Sequence, residues 1–259
     1  MKRDAFYIKI IWILILLIAW EAVTRLDLVN TYILPPFSEV IKVMIEELDK
    51  GVLGLQVLNS LKIVLVGFVV SIFVSGILAV LCMCTQIIES FVRTLCTILN
   101  PLPGVALMPL FMMWFGLGNG VLLALILHGV AWPLTTNLLT GLHSIPGTYT
   151  DWADNIECTL WNRVIHIYFF CIMPYLLSGL RIGWGRAWRA LIAGEMVFGM
   201  IGTLGGLGYY IYKARSYGSM DKVFVGIIII IVIGVFVEEF LFRLVEKYTI
   251  EKWGMSDGK

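Results

Sequence analysis

Four charged groups in one strongly apolar stretch are the residues best placed to do chemistry: Arg181, Arg186, Arg189 and Glu195. A charge at membrane depth costs several kcal/mol unless it is paired or wetted, so such residues mark ion pairs, aqueous cavities or solute paths. Arg181, Trp188 and Glu195 recur at seven-residue spacing and share one helical face, with Arg186 and Arg189 further round. An interfacial, snorkelling position is the other reading of the arginines, Arg181 above all. Glu195 is flanked by Leu191-Ile192-Ala193-Gly194 and Met196-Val197-Phe198. That setting predicts a wet cavity or an arginine from another helix as its partner.

Other chemistries find little support. No GxxxxGK[ST] phosphate loop occurs, so the chain does not hydrolyse ATP by itself. No nucleophile–base constellation stands out, and His128, His143 and His166 read as structural. The five cysteines lie in or beside apolar segments, and Cys82-x-Cys84 has no further ligand near it. They read as small buried hydrophobes, and no metal site is expected. Net charge is +1, which suggests no nucleic-acid partner.

Two further segments need an explanation. Ser144 to Val164 is a polar stretch between two apolar ones. Pro146 and Gly147 end the preceding helix, and Thr150 or Asp151 is placed to cap a new one. Trp152, Ile156, Leu160 and Arg163 follow at spacings of four and three, which predicts a short amphipathic helix on the membrane face. It either caps the bundle or engages a soluble partner. Pro101, Pro103 and Pro109 fall within one helix-length apolar segment. Proline removes a helix hydrogen bond and clashes with the previous turn. A helix broken in this way needs protein or water to satisfy the freed carbonyls, which suggests an interior, path-lining position.

The elements that must position these groups follow from composition. Of 259 residues, 59% are hydrophobic and only 14% charged, against roughly 25% charged in an average soluble domain. Unbroken apolar runs such as Gly226–Val237 exclude the alternating pattern of a membrane barrel. The expectation is an all-α integral membrane protein of about six spans. These are Tyr7–Val23, Leu61–Met83, Phe91–Phe115, Val121–Leu142, His166–Met200 and Val223–Phe242, each near the ~20 residues a crossing needs. The fifth is too long for one straight span, so an initial piece before Pro174 and a bend at Ser178-Gly179 are expected. A surface helix is expected over Val40–Leu48, and Asn59-Ser60 precedes the second span. The connection from Gly202 to Asp221 is Gly-rich, then basic. The first segment, which opens Lys2-Arg3 and lacks a small-residue cleavage site, reads as a retained anchor. Lys and Arg divide almost evenly between the two sides. Only the short basic N-terminus and the even span count favour cytoplasmic termini. No domain boundary or internal repeat is visible, so residues 1–259 read as a single transmembrane domain. The missing repeat weighs against inverted-repeat secondary transporters.

Ordered motifs along most of the chain resemble the inner-membrane permeases of ABC importers. The type is that for nitrate, sulfonate, taurine and thiamine precursors, in the binding-protein-dependent transport family. Leu34-Pro35-Pro36-Phe37-Ser38-Glu39-Val40 looks like the family's LPSPxxV segment. Ser60-Leu61, Gly67-Phe68 and Gly76 look like the start of its second span. Leu102-Pro103, Ala106, Pro109-Leu110 and Trp114-Phe115-Gly116-Leu117-Gly118 look like its IPxxAxxPLxxxWFGxG stretch. Asn137, Gly141, Pro174, Gly179-Leu180-Arg181, Arg186-Ala187-Trp188, Glu195-Met196 and Gly206-Leu207-Gly208 follow in order. Gly234 with Glu238 stands where the family has GxxxD.

The family's cytoplasmic EAA-x3-G signature falls on Asp151 to Glu157. Ala153 is retained and Asp151 replaces the acid. Trp152 stands for an alanine, Glu157 for the glycine, and Phe170 for a proline before the fifth span. The resemblance implies that residues 146–163 hold a coupling helix that docks on an ATPase through Asp151, Trp152, Ala153, Glu157, Cys158, Leu160 and Trp161. It implies a translocation path near Pro103, Pro109, Arg181, Arg186, Trp188, Arg189 and Glu195. It also implies two cytoplasmic ABC ATPases carrying ATP and Mg, an extracytoplasmic substrate-binding protein, and a second permease copy or divergent paralogue. The chain itself would hold no cofactor and sit multi-pass in a bacterial inner or plasma membrane. The solute is expected to be a small anion, from the family tendency together with Arg186 and Arg189, a thiamine precursor being the other option. A competing expectation is an ion-coupled secondary transporter with Glu195 as its ion site; a membrane enzyme using Glu195 has no supporting constellation.

Overall fold

The structure, a computed structural model, describes residues 2–199 and 205–252, with side chains for all of these except 2–6 and 160. Met200, the expected end of the fifth span, Gly202, and the side chain of Leu160 therefore lie outside the described residues. All regular structure among the described residues is helical. The helices are α1 (Lys2–Arg25), α2 (Phe37–Asp49), α3 (Val52–Cys84), α4 (Gln86–Leu99), α5 (Met108–Phe115) and α6 (Asn119–His143). Then come α7 (Gly147–Asn155), α8 (Leu160–Arg163), α9 (Phe169–Phe198), α10 (Leu207–Ser216), α11 (Met220–Val235) and α12 (Phe242–Glu246). Wide π-type turns join α8 to α9 and α11 to α12.

Five stretches among the described residues are long and apolar enough to cross a membrane: Tyr7–Arg25, Val52–Cys84, Asn119–His143, Trp161–Phe198 and Met220–Glu251. The expected third span is a bent pair instead. Gln86–Leu99 and Gly104–Phe115 meet at 96°, and make a sixth crossing only if taken together. The break falls on Pro101 and Pro103, where helix hydrogen bonding cannot continue. Pro109 plays a different part from the other two. It lies in the first turn of α5, where a missing N–H costs nothing.

Other boundaries also move. Asn59 and Ser60 sit inside α3, whose 33 residues span about 50 Å and so exceed the ~30 Å apolar core. The fifth span is one helix through Pro174 and Ser178-Gly179, preceded by the π-type turn Val164–Tyr168. The Gly-rich connection after it holds a helix, α10, that the sequence reading did not anticipate. The expected surface helix is α2.

The chain divides into two compact units, residues 1–59 with 195–231, and residues 60–194 with 232–259. In the first, the end of α1 is tied to the start of α2. Glu21 accepts from the Ser38 backbone N–H at 3.0 Å and the Ser38 hydroxyl at 2.7 Å, and the Trp20 indole donates to Pro35 O at 3.0 Å. Glu47 on α2 pairs with Lys50 at 2.8 Å and Lys222 at 3.1 Å. Burial works against its carboxylate, but the hydrogen bonds from Lys50 and Lys222 outweigh that and hold its pKa below the usual value.

In the second unit α6 is the core helix, burying Val121, Leu122, Leu125, Ile126, Val130, Leu134 and Leu139. Its neighbours approach through glycines. A Cβ on Gly67 of α3 would lie 2.7 Å from Ile126, and on Gly179 and Gly183 of α9, 2.8 Å from Leu134 and 2.9 Å from Val130. Gly141 of α6 itself faces Tyr175 in the same way, at 2.9 Å. Without a hydrophobic drive between helices in lipid, such small-residue contacts supply close van der Waals packing.

Candidate functional site

Two groupings of the expected functional residues emerge. One is the segment after α6. Its helix, α7, starts at Gly147 with Pro146 before it and no side-chain cap, so neither Thr150 nor Asp151 caps it. It ends at Asn155, and Leu160 and Arg163 belong to the next helix, so the expected single stripe is cut in two. The stripe that forms is Tyr149, Trp152 and Ile156, with exposures of 49%, 56% and 51%. Ala153, beside that stripe, is fully buried. Trp161 is exposed beyond the turn, and Cys158 is half-buried.

The turn itself is informative. The Glu157 N–H donates to Asp154 O at 3.0 Å, and the Cys158 N–H to Ala153 O at 2.9 Å. This pair of bonds closes a helix through one left-handed residue, a place that favours glycine. Glu157 takes it with φ +50°. Glu157, at the position where the resemblance expects a glycine, thus holds a left-handed turn with a Cβ. Arg163 pairs with Asp154, fastening the end of α7 to α8. Asp151 and Glu157 are exposed, and Asp151, Asp154 and Glu157 leave the segment acidic up to Arg163.

The other grouping is a cavity of about 530 Å³ at the break between α4 and α5. Its lining includes Asn100, Pro101, Pro103, His128, Arg186 and Arg189. Arg186 Nη1 donates to Asn100 Oδ1 at 2.6 Å and to Asn100 O at 3.3 Å, replacing the partner a continuing helix would have supplied. The Trp132 indole N–H donates to His128 Nδ1 at 3.1 Å, and His128 Nε2 lies 3.1 Å from Leu102 O. Indole only donates and a carbonyl only accepts, so this pairing assigns the imidazole proton to Nε2. The broken backbone is thus held by α6 and α9 side chains, with Arg186 at one wall and exposed Arg189 nearby.

The remaining predicted residues lie elsewhere. Arg181 pairs with Glu246 at 2.9 Å and sits over the Phe242 ring, in a second charged group with Glu238, Glu239 and Arg243. Trp188 is buried, stacked on Trp184 at 6.2 Å between ring centroids. Pro109 is outside the cavity lining. Glu195 is 2% exposed, and its Oε2 accepts from the Gly208 N–H at 2.8 Å. It therefore caps the N-terminus of α10, where a carboxylate also meets the positive end of the helix dipole. A Cβ on Gly206 would fall 2.1 Å from its Oε1, so that glycine makes room for the cap. A wet cavity is not its setting.

Sequence reasoning missed Asn100, and read His128 as structural without placing it at the cavity. Asn100 carried a signal, as the last polar side chain before two breaking prolines. His128 carried one only in its i, i+4 relation to Trp132.

Comparison with known proteins follows the same lines. The family model described as "Binding-protein-dependent transport system inner membrane component" matches residues 71–249. A Methanocaldococcus jannaschii protein described as an ABC transporter permease is 31% identical over 238 residues, covering 90% of this chain and 87% of the relative. A Bacillus subtilis protein described as an aliphatic sulfonates transport permease is 26% identical, covering 93% and 86%. A nitrate import permease of Synechocystis is 25% identical, covering 74% and 68%.

Proposed function

The chain belongs to the family of binding-protein-dependent transport system inner membrane components, and from that premise we propose that it is the permease of an ATP-driven importer that carries small anions by alternating access. The observation that carries the anion reading is the cavity at the broken third segment, where Arg186 and Arg189 both line the wall. Guanidinium groups offer forked donors matched to oxyanions. Relatives named for sulfonates and nitrate fit that class.

The α7 segment is the docking surface for a cytoplasmic ABC ATPase. Tyr149, Trp152 and Ile156 insert into an apolar groove, Ala153 anchors the helix inward, and Asp151, Glu157, Cys158, Leu160 and Trp161 flank it. ATP and Mg stay on the ATPase subunits. Closure of the ATPase dimer moves α7, and rigid-body rocking passes the motion to the spans. A second copy or a paralogue completes the path, and an extracytoplasmic binding protein delivers the solute. The full chain acts as one multi-pass permease domain in the plasma membrane, with both termini cytoplasmic.

The test is uptake by the complete transporter in proteoliposomes. Arg189→Ala is expected to lower anion uptake about tenfold, the equivalent of ~1.4 kcal/mol. An unchanged rate would sink the anion reading.

A further inference from the structure

A second cavity, of about 520 Å³, adjoins the first. Arg93, Thr97 and Thr136 line it, together with Asn100, Pro101 and Arg186, which line the first cavity as well. The shared residues are the partition between the two spaces. Arg186 and Asn100 meet in that partition, joined at 2.6 Å.

The two cavities lie in series along the helices. Arg93 on α4 is seven residues before Asn100, the residue that caps the end of α4, about 10 Å along the axis. Its Nη2 lies 3.2 Å from Nδ1 of His143, the last residue of α6 and just ahead of α7. The second cavity therefore opens toward the α7 end of the unit. The first extends the other way along α9, through Arg189, Ala190 and Ala193.

We infer that the Arg186–Asn100 bond is an inner gate of the solute path, released by the anion itself. This rests on the anion-importer reading above. Asn100 offers Arg186 only neutral oxygens. An arriving oxyanion offers charged ones, which add a Coulombic attraction to the guanidinium and a bidentate geometry that the amide cannot match. Arg186 exchanges Asn100 for the solute and moves aside with it. Arg93 then supplies the next cation. Its guanidinium is already bound to Glu89 at 2.6 Å, so the solute is received there but not trapped. A path must bind its solute well enough to admit it and weakly enough to release it. A neutral solute has no means of drawing Arg186 away, so the gate also selects.

Asn100→Asp and Asn100→Ala, each in the full complex with ATPase and binding protein, test this in proteoliposomes. The probe is whichever of nitrate and ethanesulfonate the wild-type complex carries; carriage of neither overturns the anion reading. Asn100→Asp turns the latch into an ion pair, and uptake is expected to fall at least ~10-fold with complex yield unchanged. Asn100→Ala removes the latch, and anion efflux without ATP is expected to rise. Asn100→Asp transporting at the wild-type rate overturns the gate, as does equal loss of uptake in both variants without a leak. Should Asn100→Ala fail to assemble, the near-isosteric Asn100→Asp decides alone. Normal uptake by Arg189→Ala beside a blocked Asn100→Asp would remove the anion as the key and leave the gate.

Discussion

Glu157 holds a backbone conformation that glycine adopts without a steric penalty, at φ +50°. For an L-residue with a Cβ this costs about 1 kcal/mol. Glu157→Gly is therefore expected to tighten the end of α7. Hydrogen exchange at the amides of residues 157 and 158 should slow about fivefold, the equivalent of ~1 kcal/mol. Faster exchange would contradict the assignment of the turn. Position 157 was identified from the sequence through its place in the family signature. That Glu157 itself holds a left-handed turn was not readable there, because backbone dihedrals follow from closing bonds, not from residue type alone. Glu195 teaches a related lesson. Its burial was legible in the apolar residues on both sides of it. Its partner was not, because the Gly208 N–H comes from a helix thirteen positions further on.

At the scale of elements, hydropathy located the apolar segments because lipid exposure leaves long unbroken runs. It could not show that the third one folds back at 96°. The prolines signalled a break, but not that Arg186 of α9 and His128 of α6 hold the freed backbone. Glycines carry the second element-level result. Gly67 and Gly141 were legible only as motif letters, and Gly179 only as a motif letter and a place for a bend. In the structure each is a site where one helix lies against another's side chain. Gly141→Ala would set a Cβ 2.9 Å from Tyr175 Cβ, an atom close to its backbone and unable to swing away. Overpacking of this kind costs typically 1–3 kcal/mol. The variant should unfold at lower temperature in detergent, while an unchanged midpoint would mean that α6 and α9 are free to separate.

At the scale of the molecule, family membership was legible because the motifs keep their order along most of the chain, and the match to residues 71–249 bears it out. The grouping of site residues was less legible. Seven-residue spacing placed Arg181, Trp188 and Glu195 on one face, yet they serve an ion pair, an aromatic stack and a helix cap. Arg186 and Arg189 reach the cavity because the broken segment packs against their part of α9, a tertiary fact that helical periodicity does not contain. The central claim is that this chain moves solute only when an ATPase works on α7. The most direct measurement is solute uptake into proteoliposomes holding the chain with its ATPase and binding protein. The account predicts uptake that needs ATP and stops when the ATPase is omitted. Uptake by the chain alone, driven by an ion gradient without ATP, would contradict it.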